Sequence, residues 1–483
     1  MAAWLAWLVA ALLLYILFLA VIMLMEHRRP AQMTAWLLIA LVFPYLGFLA
    51  FIMLGQDFRS RKMRRRFKSY HEYASPIPQT RSSSHNKVHL IEEVHNEELA
   101  NQRNLFELLS TMTPFAIKAG NQSEILTNGE ATFEAILNAL SEARHHIHMD
   151  YYTIRDDGIG RRFLHMLIRK AREGVEVRIV YDGIGSLHIS EDFLKELRAA
   201  GVQTSCFLPP RVAFYERRLN YRNHRKIVVV DGLVGFLGGI NIGDEYLGKD
   251  ERLGFWRDTH LKLEGNAVHD LQQLFLNDWA FASMEQLDVQ RYMPAQDTHS
   301  GKENVLIVPS EPGRNDQKIL DVTFAAINAA RSRICISTPY FIPDPSLIMA
   351  LRTAAQSGVD VTIIIPGIAD TKIVLLTTLS YIQDMLDAGV KVYRYQKGFI
   401  HAKVMIIDQM LASVGTANMD MRSFYSNFEL NALLFDTYAI KRLSIDFNED
   451  LKQSRQVLAQ QFTKRPWKQK AAESLLHMLS PLL

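Results

Sequence analysis

The chain has 483 residues, 48% of them hydrophobic, and carries 54 Lys+Arg against 51 Asp+Glu for a net charge of +3. It is long and apolar enough for two or three domains with real cores, and so balanced a charge does not by itself mark a polyanion-binding chain. Cys206 and Cys335, the two cysteines, lie far apart in apolar surroundings, which excludes a disulfide framework and a cysteine-rich zinc site.

In chain order, two apolar stretches come first. Ala2 to Met25 contains no charge, and after "EHRRP" a second stretch runs from Met33 to Gly55. A bilayer core needs about 20 apolar residues in a helix, so the pair predicts a transmembrane helical hairpin. The first stretch lacks a basic start and a small-residue cleavage site, which argues against a signal peptide. Pro44 is tolerable inside a membrane helix. The connection offers only His27, Arg28 and Arg29, whereas Arg59, Arg61, Lys62, Arg64, Arg65, Arg66 and Lys68 follow the second stretch. Basic flanks stay on the cytoplasmic side, so a two-span protein of the cell membrane is expected, with its long C-terminal region cytoplasmic. The same basic run is placed to hold the following domain against anionic lipid headgroups.

From Glu72 to Thr113 the sequence is polar and turn-rich, a linker followed by a short helix. Beyond it, helical and strand patterns alternate, and the alternation occurs twice. "AILNALSEARHHIHMDYYT" (135–153) and "TFAAINAARSRICISTPYF" (323–341) each give a helix and then a strand. "FLHMLIRKAREGVEVRIVYD" pairs with "LIMALRTAAQSGVDVTIIIPG", and "LKELRAAGVQTSCF" with "IQDMLDAGVKVYRY": an amphipathic helix, a glycine stop and a β-branched strand each time. Three elements in one order indicate an internal duplication.

The duplication extends to a chemical motif. "NHRKIVVVDG" begins at Asn223 and "IHAKVMIIDQ" at Ile400, giving His224-x-Lys226-x4-Asp231 and His401-x-Lys403-x4-Asp408. Each is followed by a glycine-containing turn ending in asparagine, Asn241 in "GGIN" and Asn418 in "GTAN". On a strand, residues two apart share a face, so each copy presents an imidazole and an ammonium to one side. Asp231 and Asp408 fall on the opposite parity at the strand end, where geometry predicts that they fix a turn and do not touch substrate. The asparagine amides can donate hydrogen bonds, and the small residues before them let a ligand approach the backbone. Two imidazoles, two ammoniums and two amides suit a phosphate diester. One neutral histidine can attack phosphorus while the other, protonated, donates to the leaving alkoxide. Lysine and asparagine already supply the charge stabilisation, so no metal is needed.

Two other stretches have plainer readings. "RHHIHMD" (144–150) places His146 and His148 on one strand face but lacks further ligands at metal spacing. "RVAFYERRLNYRNHR" (211–225) mixes basic residues with Phe214, Tyr215 and Tyr221; nucleic acid would use such a mixture, but beside two membrane stretches a lipid headgroup is favoured. The terminal "WKQKAAESLLHMLSPLL" is amphipathic, with packing on the core and lying on a membrane both open.

The paired H-x-K-x4-D motifs resemble the phospholipase D superfamily, which includes phosphatidyltransferases and some nucleases. "NYRNHRKIVVVDG", "GGINIGDEYLG", "WRDTHLKLEG" and "GTANMDMRSFYSNFELN", with the apolar hairpin, resemble the bacterial cardiolipin synthases over nearly the whole chain. The resemblance implies an α/β fold of two duplicated lobes about a pseudo-twofold axis. It implies condensation of two phosphatidylglycerols into cardiolipin and glycerol, through a phosphatidyl-histidine and without a cofactor. His224, Lys226, Asp231, His401, Lys403 and Asp408 are then the catalytic motif residues, and Asn241 and Asn418 the substrate-binding ones. Asp258 and Glu429 match the acids that orient the histidines. "GGIN" lacks the hydroxyl of the usual GSxN, which Thr416 supplies in the second copy. By analogy His224 is the nucleophile and His401 the acid/base; the sequence itself is nearly symmetric and leaves the order open. The units expected are 1–57 (two spans), 58–114 (basic segment and linker), 115–295 and 296–450 (the lobes) and 451–483 (amphipathic tail). Expected partners are phosphatidylglycerol and anionic membrane lipids, not nucleic acid, and oligomeric state stays open. A hydrolase using water as acceptor has the same motifs. An inactive membrane scaffold or nucleic-acid-binding member would carry degenerate ones, and both motifs are complete.

Overall fold

The computed structural model of the chain describes residues 2–25, 30–43, 46–47, 50–51, 103–210, 221–295, 301–312 and 317–482. The basic run at 59–68, the linker up to residue 102 and most of the basic–aromatic stretch (211–220) lie outside the described residues.

The same local logic builds both halves. Helix Gly158–Arg172 is capped by Asp157, which accepts from the Gly160 N–H, and it buries Ile159, Phe163, Leu164 and Leu167. Its counterpart Pro345–Gln356 is capped by Asp344 and buries Leu347, Ala350, Leu351 and Ala354. Spacings of three and four lay these side chains on one face, and the acidic caps satisfy first-turn amides. Each helix hands over to a parallel strand through a left-handed glycine, Gly174 at φ 91° and Gly358 at φ 98°.

In spatial order the first half's strands are Gln203–Phe207, Glu176–Asp182, His146–Tyr151, Lys226–Val230, Val234–Gly238, Thr259–Gly265 and Lys118–Thr127. The second half repeats that order with Lys391–Tyr395, Asp360–Pro366, Arg333–Ser337, Val404–Ile407, Leu411–Gly415, Asn427–Leu434 and Glu303–Ser310. Lys118–Thr127 pairs antiparallel with Glu303–Ser310, so both halves belong to one continuous sheet. The inner strands pack over a shared core that includes Ile227, Leu237 and Leu261 from the first half and Ile406, Val414 and Leu430 from the second. Strand content is therefore spent on joining the halves, and the duplicated α/β fold follows from it.

Two departures concern the ends. Helix Arg103–Met112, which precedes the first half in sequence, puts Leu105, Phe106 and Leu109 into the second half's core, with Phe106 5.9 Å from Phe435. At the N-terminus, helix Ala2–Met25 has 24 residues but Pro30–Val42 only 13. The expected two-span hairpin is thus not shown: no helix among the described residues is long and apolar enough to cross a membrane, and residues 26–29 of the connection lie outside them.

Candidate active site

The site is made where each half crosses into the other. Arg222–Asn223 leaves the first half to pair in parallel with Asn427–Phe428, and Gly398–Ile400 leaves the second to pair with Phe255–Arg257. The His224 N–H then donates to the Phe428 carbonyl at 2.9 Å, and the His401 N–H to that of Arg257 at 2.7 Å. Each imidazole consequently meets the acid of the opposite half. His224 Nδ1 lies 3.0 Å from both Glu429 oxygens, and His401 Nδ1 lies 2.8 Å from Asp258 Oδ2. A carboxylate only accepts, so each Nδ1 donates, and Nε2 of the neutral ring keeps its lone pair for chemistry.

The two acids are held differently. Glu429 accepts from the Thr416 hydroxyl at 2.6 Å and from Asn427 Nδ2 at 3.1 Å. Asp258 accepts from the Thr259 N–H at 2.8 Å, and a Cβ on Gly239 would stand 2.1 Å from its Oδ1. The missing hydroxyl of "GGIN" therefore has a steric reason: the space it would take belongs to Asp258.

Burial sets the electrostatics. It lowers His224 and His401 to about 4 each, against the opposing pull of their carboxylates and with help from the neighbouring lysines. Burial also lowers Lys226 to about 7 and Lys403 to about 8. For Asp258 and Glu429 burial acts upward, but His401 with Lys403 and Thr259, and His224 with Lys226 and Thr416, together outweigh it and hold the carboxyls below their ordinary range. The lysines do not simply face outward. Lys226 Nζ donates to the His224 carbonyl and Lys403 Nζ to that of His401, each at 2.7 Å, and Lys403 Nζ also lies 3.0 Å from both nitrogens of the His401 ring.

His224, His401, Asn241 and Asn418 line one cavity of about 870 Å³. Asn241 Nδ2 donates to the Tyr246 hydroxyl at 2.6 Å, and Asn418 Nδ2 to Asp420 at 3.1 Å. The duplication is broken at the cavity wall. The residues two before each histidine and two before each acid pair in register, as Arg222 with Asn427 beside His224 and as Phe399 with Trp256 beside His401. Trp256 and Phe399 have ring centroids 5.1 and 5.8 Å from that of His401, whereas Tyr152 presents its edge to His224 at 5.0 Å. His224 thus has Arg222 and Asn427 beside it at the cavity wall, and His401 has Trp256 at the wall with buried Phe399 behind it. Sequence reasoning did not single out Arg222, Asn427, Trp256 or Phe399. Their constant offset from the motif residues was the available signal.

Grouping Asp231 and Asp408 with the catalytic residues needs correction. Asp231 accepts the backbone N–H groups of Arg144, His145 and His146 at 2.8 to 2.9 Å, and Asp408 those of Arg331, Ser332 and Arg333 at 2.6 to 2.9 Å. Both lie beyond the far end of the motif strand with φ of 55° and 52°, and neither lines the cavity. Each stitches a turn to the start of the neighbouring strand. His146 and His148 are bridged by Gln272 at 2.8 Å each, and no group of three or more histidine, cysteine or acidic side chains suited to a metal occurs among the described residues.

Comparison with known proteins matches the sequence to a family. The family described as "Cardiolipin synthase, PLD-like domain" matches residues 136–279 and 323–451, one segment in each half. The chain belongs to the cardiolipin synthase family. A second family, "Phospholipase_D-nuclease N-terminal", matches residues 13–56. Among cardiolipin synthases, that of Geobacillus thermodenitrificans is 43% identical over 97% of this chain and 92% of its own. Cardiolipin synthase 2 of Bacillus anthracis is 43% identical over 95% and 88%, and the major cardiolipin synthase ClsA of Bacillus subtilis 40% over 96% of each. The crystal structure of a phosphatidylserine synthase from Haemophilus influenzae shares the fold, with a TM-score of 0.62 at 14% identity, covering 79% of this chain and 99% of that one.

Proposed function

We propose that this member of the cardiolipin synthase family is a phosphatidyltransferase that joins two phosphatidylglycerol molecules into cardiolipin and releases glycerol. The observation that carries the reading is the pair of crossed histidine–carboxylate contacts opening on one cavity, His224 with Glu429 and His401 with Asp258.

In this reading Nε2 of neutral His224 attacks phosphorus, and the bond from phosphorus to the headgroup glycerol oxygen breaks. His401, protonated as the anionic diester enters beside it, gives its Nε2 proton to that oxygen. A hydroxyl of a second phosphatidylglycerol then loses its proton to His401 and attacks phosphorus, the phosphorus–nitrogen bond breaks, and both rings return to their first state. Lys226 and Lys403 steady the non-bridging oxygens, and Asn241 and Asn418 line the path of the headgroup. The scheme calls on no cofactor, because the protein's own cations meet the developing charge.

The membrane reading belongs to the same proposal. What supports it is that helix Ala2–Met25 carries no charge and leaves Trp4, Leu5, Trp7 and Leu8 exposed, side chains suited to lipid. We assign 1–57 to a two-span hairpin, 58–114 to a juxtamembrane connection, 115–295 and 296–450 to the lobes and 451–483 to the tail, with the lobes on the cytoplasmic side.

Labelled phosphatidylglycerol given to the purified chain in chelator-treated buffer should yield cardiolipin and glycerol, and His224→Ala or His401→Ala should abolish both. Phosphatidic acid as the sole lipid product would overturn the synthase reading in favour of a hydrolase. Label retained on His224 in a His401→Ala background would establish the order of attack.

A further inference from the structure

The C-terminal helix Trp467–Leu479 has two unlike faces. Its inner face is tied to helix Lys372–Asp387 of the second half: Tyr381 donates to the Ser480 hydroxyl at 2.7 Å, and Ser380 lies 2.9 Å from His477 Nδ1. Glu473, the one acid in the helix, is buried on that side and paired with Arg465 at 2.8 Å. On the outer face Trp467, Ala471, Leu475 and Met478 recur at spacings of four, four and three, which aligns them in one stripe. Trp467 is 73% exposed, Leu475 62% and Met478 47%. Exposed Lys468 and Lys470 fall on opposite flanks of this stripe, and exposed Lys464 precedes it.

The neighbouring helix also carries exposed apolar side chains. Helix Pro30–Val42 packs against the C-terminal helix and the turn Ser480–Leu482, and its own end leaves Leu41, Val42 and Phe43 exposed. An apolar stripe flanked by lysines, with its only acid turned inward, repels a second copy of itself and attracts an anionic surface. Lysine stems can lie along the apolar boundary while their ammoniums reach headgroup phosphates.

We propose that the outer face of helix Trp467–Leu479 docks on an anionic lipid bilayer, with Trp467, Leu475 and Met478 at the headgroup–acyl boundary and Lys464, Lys468 and Lys470 among the phosphates. The proposal rests on the membrane reading of the N-terminal helices. Through helix Lys372–Asp387, whose Val374 lines the cavity, the docked helix ties the second half to the surface that holds the substrate.

The test uses the full chain in nanodiscs containing phosphatidylglycerol with brominated acyl chains, in a Cys206→Ser background. A bimane is attached at Trp467→Cys, at Leu12→Cys in the first apolar helix, or at Asp192→Cys on an exposed helix of the first half. Quenching at 467 and 12 but not at 192 is expected. Quenching at 467 should weaken in discs made only of phosphatidylcholine with brominated acyl chains and with Lys468→Glu/Lys470→Glu, while quenching at 12 stays. Quenching at 12 with none at 467 overturns the docking surface and leaves the membrane reading standing. Quenching at 467 with none at 12 upholds docking and removes the spanning helix. Absence at both overturns both. Cross-linking of the 467 cysteine between two chains, without quenching, would make this face a contact between copies and overturn the lipid assignment.

Discussion

Glu429, from the second half of the chain, holds both oxygens 3.0 Å from Nδ1 of His224 in the first half. The carboxylate fixes which ring nitrogen carries the proton and which is left to react. Glu429→Gln keeps the shape but can present its amide N–H₂ to Nδ1, favouring the wrong tautomer. A loss in kcat of about 10²–10⁴-fold is expected, and Asp258→Asn should do the same through His401. Chain-averaged activity with circular dichroism checks this; a loss under tenfold with intact fold would remove the orienting role.

Restoring the superfamily's usual serine should be harmful here. Gly239→Ser adds a Cβ that would meet Asp258 Oδ1 at 2.1 Å, so it must push the carboxylate off His401. Activity should fall at least as far as in Asp258→Asn, whereas Thr416→Ser, which keeps the hydroxyl bonded to Glu429, should be nearly neutral. A fully active Gly239→Ser would show that Asp258 has another position compatible with turnover.

Asp231→Ala and Asp408→Ala should lower stability with little change in the turnover of folded protein. Each removes an acceptor shared by three backbone amides, a loss of about 1–3 kcal/mol. Urea titration alongside activity per folded molecule separates the two effects. A large fall in kcat at unchanged stability would return these residues to the chemistry.

Trp256 closes the wall beside His401, with its ring 5.1 Å away, and is itself buried. Trp256→Ala should admit water to the intermediate and raise the share of phosphatidic acid relative to cardiolipin. The product ratio is the readout, and an unchanged ratio with reduced total rate would mean that the indole only supports packing.

The buried histidines should favour unfolding as pH falls from about 6.5 toward 4. Burial lowers His146, His224 and His401 to about 4 and His260 to about 3, against an ordinary 6.5. In that window these rings bind more protons in the unfolded chain than in the folded one, so their titration favours unfolding. Burial also raises Asp270 to about 6 and lifts Asp150, Asp182, Asp278, Glu303, Asp420 and Asp450 above their ordinary values, and these carboxyls act in the opposite sense below their folded values, so the histidine contribution is read ring by ring. Imidazole titration followed by NMR in the folded chain tests this, and rings that titrate near their ordinary value would overturn it.

Much of this architecture was legible because duplication makes a sequence its own comparison. The helix–glycine–strand units and the two motifs recur at matching addresses, whereas the acids Asp258 and Glu429 were legible only through the family resemblance. The crossing was not legible. Nothing in the spacing of His224, Asp258, His401 and Glu429 says whether an acid serves its own half or the other, because that depends on how Arg222–Asn223 and Gly398–Ile400 leave their lobes. The wall residues were hidden for a related reason: Arg222 against Phe399 and Asn427 against Trp256 are positions where the copies disagree, and repeat matching passes over disagreement. Asp231 illustrates the reverse hazard. It recurs faithfully in the motif, yet what recurs there is a turn stitched by three amides.

The crossed acids also bear on how such a chain could have arisen. A single half would carry a histidine without the carboxylate that orients it, so it could act only after meeting another copy, and its output would vary with the square of its abundance when dilute. Joining the halves through Lys118–Thr127 and Glu303–Ser310 replaces that encounter with a permanent high local concentration. Once the partner is guaranteed, the two walls no longer need to be identical, and the polar and aromatic sides are free to diverge.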